Sequence, residues 1–297
     1  MSLPNLVVRF SSLGDVVLAG AVTGALAPVV FVTLRRFSSV AERLPGVRAV
    51  VALEEGEGIG ALVRRLPPHS RRIDLHRSLR SQALALALGG TWDAIDPARM
   101  RRHLRVALKT GPARPLVARY AEAAGVEPAP PPWIAVDGPR DALLVVPGAQ
   151  HASKRWPVEY FARALTPLPG PVIVLGGPGE ERICHGLGDA LGPRAEVVCE
   201  AGFQRTFAAL GRGRACLAND TGLAHLCAAA GVPVVGLFGG TCAADGWWGE
   251  RCTALEHPLE CRPCSRHGRK TCPIGDWACL RELAPDRATE ALRRCLA

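Results

Sequence analysis

Aromatic side chains are scarce in this chain of 297 residues, 5% in all with only two Tyr. Lysine is scarcer still: Lys109, Lys154 and Lys270 are three of 36 basic residues. So few stacking platforms, with no recognisable nucleic-acid motif, argue against a nucleic-acid partner. No apolar run reaches the ~18–20 residues that span a bilayer. The opening MSLPNLVVRF lacks the charged start and apolar core of a secretory signal and reads as a first β-strand. Together these absences predict a cytoplasmic protein. The Gly-x-Gly-x-x-Gly fingerprint of dinucleotide binding is missing after that strand, where only Gly14 is present, which disfavours a dehydrogenase. No Asp-x-Asp pair occurs anywhere.

Basic charge is plentiful, with a net +9 that is unevenly spread. Up to Asp137 there are 18 Arg and Lys against 11 Asp and Glu, and beyond it 18 against 16. The excess gathers at Arg64, Arg65, Arg71, Arg72, Arg77 and Arg80, and along Arg99 to Lys109. Anionic lipid or a phosphorylated substrate suits such a surface, while a solvated basic face is the plainer account of any single cluster. Eleven cysteines are many for the cytoplasm, where disulfides seldom persist. Cys184, Cys199, Cys216 and Cys227 lie in apolar segments and read as small buried hydrophobes.

Short apolar strands alternate with helical stretches along the whole chain. In the first half the strands are Leu6–Phe10, Val29–Leu34, Val47–Leu53 and Arg72–His76. Helices are predicted at Val16–Ala27, Ser39–Leu44, Ile59–Leu66, Leu79–Leu88, Arg99–Lys109 and Pro115–Ala124. GVEPAPPPWIAVDGPR follows as a Pro-rich linker. The alternation then restarts at Ala142–Val146 and ends in a helix over Asp286–Leu296. Repeated strand–helix units predict an α/β protein with parallel sheets covered on both faces, split into domains 1–138 and 139–297. Ligands of such sheets sit beyond the carboxyl ends of the strands.

The most informative segment is Cys216 to Thr241, CLANDTGLAHLCAAAGVPVVGLFGGT. A strand runs into Asn219-Asp220-Thr221-Gly222, where Asp220 and Thr221 are cap residues, Gly222 lets another group approach the backbone, and an apolar helix follows. The N-terminus of that helix offers N–H groups with partial positive charge, an anion site suited to a phosphate or diphosphate. Thr221 and His225 are four apart, on one helix face. An ordinary capped helix with a satisfied histidine explains the same residues. Three other strand ends carry chemistry. Asp15, in Ser11-Ser12-Leu13-Gly14-Asp15, is either a dipole-favoured helix residue or a general base. In Pro147 to Pro157, Gly148 permits close approach and Lys154 brings a compact ammonium. Glu180 opens a helix, where it either caps or accepts hydrogen bonds from a ribose.

Taken together, VVRFSSLGDVVLA, IDLHRSLRS, VVPGAQHASKRWP, VLGGPGEE and ANDTGLAHLCAAAGVPVVGLFGGT resemble glycosyltransferase family 9, the ADP-heptose:lipopolysaccharide heptosyltransferases. The resemblance implies a GT-B arrangement, two Rossmann-like doubly wound domains facing across a cleft, the first for the acceptor and the second for the nucleotide sugar. It implies inverting heptose transfer from ADP-heptose to a lipopolysaccharide core or lipid A acceptor, at the anionic inner face of the cytoplasmic membrane. Asp15 then matches the catalytic base and Lys154 the lysine near the donor. Gly148, Glu180, Asp220, Thr221, Gly222 and His225 fall on the donor site, and Ser11, Ser12 and Gly14 beside the acceptor. With no Asp-x-Asp pair, nothing calls for a divalent ion or other cofactor. The chain is short for the family in its acceptor half, and Gly240 stands where proline is more usual. Two other readings stay open: another nucleotide sugar or glycan acceptor, and a non-catalytic nucleotide- or sugar-binding protein.

Cys261-x₂-Cys264-x₇-Cys272-x₆-Cys279 contains one knuckle and two looser partners. Four thiolates in this loop can hold structural zinc tetrahedrally. The irregular second pair favours reduced structural thiols instead.

Overall fold

The computed structural model describes residues 2–96, 104, 106–109, 114–246, 249 and 251–297. The chain divides into two compact units, Met1–Ala98 with Arg114–Ala135, and Arg99–Ala113 with Val136–Ala297. The partition at Ala135 and Val136 falls inside the Pro-rich stretch.

The first unit holds a sheet of β1 (Asn5–Val8), β2 (Val29–Leu34), β3 (Val47–Leu53), β4 (Arg72–Asp74) and β5 (Asp93–Ala94). Their order is β3-β2-β1-β4-β5 and every pairing is parallel. The second unit holds β6 (Ala142–Val146), β7 (Val172–Gly176), β8 (Ala195–Cys199), β9 (Gly213–Asn219), β10 (Val234–Phe238) and β11 (Cys252–Glu256). Their order is β11-β10-β9-β6-β7-β8, again all parallel. Both are doubly wound: the chain fills one side of the first strand and then crosses to the other. The order reverses between β1 and β4 in one unit and between β6 and β9 in the other, and such switch points are where these sheets bind ligands.

The central strands are continuous apolar runs because helices cover both faces. All five residues of β6 and of β10 are buried. The edge strands β3 and β8 carry exposed residues. In the first unit Leu6, Val8, Phe10, Val30 and Val32 pack with Leu62 and Leu84 from the covering helices. In the second, Val145, Val174, Leu217 and Leu237 pack with Phe161 and Leu165 and with Ala288 and Leu292 of the last helix, Pro285–Leu296. Each fully buried aliphatic side chain contributes about 1.5–3 kcal/mol.

Strand positions follow the predicted pattern closely, and helix starts less so. The first helix begins at Leu13, earlier than predicted, and breaks after Leu18 before a second turn at Gly20–Thr23. The cause is Asp15, whose carboxylate accepts the Ser12 backbone N–H at 3.0 Å and so caps the helix early. Strand β5 is only two residues long, too short for periodicity to reveal. The helix expected over 99–109 lies largely outside the described residues. Cys184, Cys216 and Cys227 are buried as expected, whereas Cys199 is half-buried. No described helix is long and apolar enough to cross a membrane.

Candidate functional site

In the first unit, Val8 pairs with Asp74, so Arg9 and Leu75 leave the switch point side by side. The Arg9 guanidinium donates from Nη1 to the Leu75 carbonyl at 2.7 Å and from Nη2 to Asp15 Oδ2, forming an ion pair. Asp15 also accepts from the Ser12 hydroxyl at 3.1 Å. Ser11, Ser12, Gly14 and Asp15 thus share one turn, with Gly14 buried and Ser12 exposed. Burial pushes the Asp15 carboxyl up, but Arg9 and the Ser12 donors outweigh it and hold it below the usual carboxylate range. Asp15 is therefore an anion at neutral pH. Tyr120, in the helix Leu116–Ala124, donates its hydroxyl to the Asp15 carbonyl at 3.2 Å.

The arginines counted as a basic cluster are partly consumed within this unit. Arg65 pairs with Glu57 and Arg71 with Asp93, while Arg72 donates to His69 and the Gly89 carbonyl. Sequence patterning counts charges and does not reveal such local pairing.

In the second unit, Val146 pairs with Ala218, so the segments after β6 and β9 leave the sheet together. Asn219, fully buried, ties them: its Nδ2 donates to the Pro147 carbonyl at 2.7 Å and its Oδ1 accepts the Trp156 N–H at 3.1 Å. Trp156 is itself locked, packing edge-on against Phe161 with ring centroids 5.0 Å apart and donating Nε1 to the Leu283 carbonyl at 3.0 Å. Between these anchors the chain turns so that Lys154 Nζ lies 2.7 Å from Asp220 Oδ2 and 3.3 Å from the Asp220 carbonyl. Both side chains are largely shielded, 16% and 15% exposed. Thr241 donates its hydroxyl to the same Asp220 oxygen at 2.8 Å. Burial raises the Asp220 carboxyl, but the charge of Lys154, helped by His225 and Thr241, holds it below the usual range.

Thr221 is the N-cap of the helix Gly222–Ala229, accepting the Ala224 N–H at 3.4 Å. Its first turn and the Lys154 ammonium leave the same two strand ends, a junction that favours an anion. Lys154, Asp220, Thr221, Gly222 and His225 are brought together here as one group. Gly148 and Glu180 form another contact beside it. Glu180 Oε2 accepts the Gly177 N–H at 2.8 Å, and its carboxylate rests directly on the Gly148 α-carbon. Burial pushes the Glu180 carboxyl up, against the Gly177 hydrogen bond. A Cβ at position 148 has no room beside that carboxylate. Gly148→Ala is therefore expected to swing Glu180 away; on its expected role as the ribose acceptor, ADP binding measured by calorimetry falls about tenfold, the loss of one hydrogen bond to a charged group.

Residues missed by sequence reasoning are those that hold others in place: Arg9, Asn219, Trp156 and Thr241. All four lie inside the motifs already singled out, which is the only signal they carried. Gly240 explains its own departure from proline. Its N–H donates to the Ser153 carbonyl at 3.0 Å, a bond proline cannot make. Its carbonyl accepts from the N–H groups of Cys264 and Ser265, both at 3.0 Å, so the cysteine loop docks on it.

Cys261, Cys264, Cys272 and Cys279 line one small cavity with Ser153 and Gly240. Burial pushes the Cys279 thiol up to about 11. Burial acts likewise on Cys272, but the backbone N–H groups of residues 274–277 outweigh it and hold that thiol below its usual value. Among the described residues, no group of three or more His, Cys, Asp or Glu side chains is placed to hold a metal ion.

A profile of glycosyltransferase family 9 (heptosyltransferase) matches residues 106–277, more than half of the chain. The chain belongs to glycosyltransferase family 9. This family 9 chain is 31% identical over 160 residues to lipooligosaccharide heptosyltransferase 2 of Campylobacter jejuni serotype O:2, covering 50% of the chain and 49% of that relative. The chain thus spans about half the length of the curated relatives it matches. Its fold is similar to that of E. coli ADP-heptose lps heptosyltransferase II, with a TM-score of 0.74 at 19% identity over 99% of this chain and 98% of that one. E. coli heptosyltransferase WaaC with ADP gives a TM-score of 0.72 at 18% identity, covering 99% of this chain and 100% of the other. The fold of the family 9 chain is accordingly the GT-B type, with two Rossmann-like α/β units.

Proposed function

We propose that this protein is an inverting glycosyltransferase that transfers a heptose from ADP-heptose to a lipopolysaccharide core acceptor. The observation that carries this reading is the junction at the β6/β9 switch point, where the Lys154–Asp220 pair adjoins the Thr221-capped helix start. A diphosphate is the ligand such a junction suits. The helix N–H groups supply fixed partial charges, and Lys154 supplies a full positive charge that strengthens as ADP departs. Asp220 keeps the ammonium aimed in the meantime. Glu180, already an acceptor of the Gly177 N–H, takes the ribose hydroxyls in this scheme, and His225 contacts the sugar–phosphate end.

On the acceptor side, Asp15 is the base. It takes the proton of the acceptor hydroxyl as the new glycosidic bond forms and the bond to ADP breaks, with inversion at the anomeric carbon. Ser11, Ser12 and Gly14 lie beside the incoming hydroxyl. Charge on the departing diphosphate is met by Lys154 and backbone N–H groups, so the scheme uses no divalent ion. The basic excess of the first half suits a phosphorylated lipid at an anionic membrane surface. The Campylobacter jejuni relative, a lipooligosaccharide heptosyltransferase, supports the same sugar and acceptor class. Calorimetry with ADP, UDP and GDP tests the donor: ADP is expected to bind tightest, and tighter UDP or GDP binding would overturn the heptose assignment.

A further inference from the structure

Arg9 takes no part in the scheme above, yet its surroundings are those of a functional group. Its side chain is buried at the end of β1 and makes the ion pair with Asp15 and the bond to the Leu75 carbonyl already described. Its Nε is buried and has no hydrogen-bond partner. Its guanidinium lies over the Tyr120 ring, 5.8 Å from the centroid, and Tyr120 in turn holds the Asp15 carbonyl. A buried guanidinium with an unsatisfied donor is a poor stabilising device, because desolvation and the orphaned N–H both count against it. Such arrangements persist where a carboxylate's charge and direction have to be set.

We infer that Arg9 is a positioning residue for the transfer reaction, fixing the direction and charge of the Asp15 carboxylate through a buried ion pair. This rests on the proposed role of Asp15 as base. Three donors clamp the same oxygen, Oδ2: Arg9 Nη2 from the end of β1, and the Ser12 backbone N–H and hydroxyl from the helix start. Among the described residues no hydrogen bond reaches the other oxygen, Oδ1, which in the proposed scheme meets the acceptor hydroxyl.

Among the charged and titratable groups around Asp15, Arg9 has the largest lowering effect, beside the Ser12 donors. His76, from the segment after β4, has its imidazole pushed down to about 4 by burial and by Arg9, so it is neutral at pH 7. Tyr120 is pushed above its usual value, chiefly by burial, and is neutral as well. Arg80 is turned to the Phe10 ring, 5.7 Å from its centroid. Asp74 is tied to the His76 and Arg77 N–H groups at 2.8 and 2.9 Å. With Arg9 neutralised, burial is opposed only by the Ser12 donors, and the carboxyl titrates higher.

The test is the pH profile of kcat/KM for Arg9→Met and Arg9→Lys, with Arg9→Gln as the neutral variant if Met does not fold, and ADP calorimetry to check the second unit. An opposite charge this close shifts a carboxylate by about 1–3 pH units, so the acid limb is expected to rise by that much in the Met or Gln variant. The Lys variant, which keeps the charge, is expected to hold the wild-type limb. An acid limb that stays put without the Arg9 charge, while Asp15→Asn is inactive, overturns the positioning role and leaves the base assignment standing. Retained turnover in Asp15→Asn overturns the base assignment itself, and the role of Arg9 with it.

Discussion

Asp15→Asn is expected to lower kcat by about 10²–10⁴-fold, the usual contribution of a positioned general base. Asn keeps the size of the side chain and an oxygen for the Ser12 N–H, so the capped helix start survives. It cannot take a proton. ADP binding, measured by calorimetry, is expected to stay unchanged, because the proposed donor group lies in the second unit while Asp15 belongs to the first. This separation distinguishes an enzyme from a binding protein on the same scaffold: loss of turnover with ADP binding intact supports the base, and turnover near the wild-type value refutes it. The pH dependence has a definite sign. Asp15 is held below the usual carboxylate range, so the wild-type enzyme loses kcat/KM only at pH values below that range. The ion pair that keeps the base ionised also makes it weaker. In the proposed scheme the reaction therefore leans on leaving-group stabilisation, the role proposed for Lys154.

Lys154→Met carries the second large effect, and it acts on stability as well as rate. Removing one positioned charge from a leaving-group site costs on the order of 10²–10³ in kcat. The same substitution leaves Asp220 shielded and without its cation. Breaking a buried pair on one side costs about 3–5 kcal/mol, far more than the pair contributes when intact. The pH sign separates this from a packing defect. In the wild type the folded Asp220 carboxyl lies below its unfolded value, so the stability it contributes is present above the unfolded range and lost as pH falls through the folded one. In the variant, burial acts with much less opposition and Asp220 titrates above its unfolded value. The deficit is then greatest at neutral pH and shrinks towards pH 4, where an unfolded Asp is half protonated. Urea unfolding at pH 7 and pH 4 measures both, and a deficit independent of pH would show that the pair is not its source. Adding Asp220→Asn to the variant should restore much of the stability and none of the rate.

Much of the fold was legible because its signals are local. Buried parallel strands are unbroken apolar runs, and Val29–Leu34, Val47–Leu53 and Ala142–Val146 fall where those runs predict. Helix starts were read less well, since the first helix is placed by a hydrogen bond from Ser12 to Asp15 that no hydrophobic period encodes. In the candidate site, the residues with distinctive chemistry at strand ends were legible: Asp15, Lys154, Glu180, Asp220, Thr221 and His225. Their supports were not. Arg9 looked like one arginine among many, and Asn219 like a turn residue.

By itself, then, the sequence determined the α/β class, the parallel strands, the chemical types at each strand end and the family to which they belong. These follow from the period of apolar residues and from motifs a few residues long. Only the tertiary structure decided which of those groups touch. Strand order places β6 beside β9, more than seventy residues apart, and so pairs Lys154 with Asp220. It places β1 beside β4, and so buries Arg9 between Leu75 and Asp15. A carboxylate's charge and direction are set within a few ångströms, and that neighbourhood is assembled by crossovers that leave no mark on local sequence.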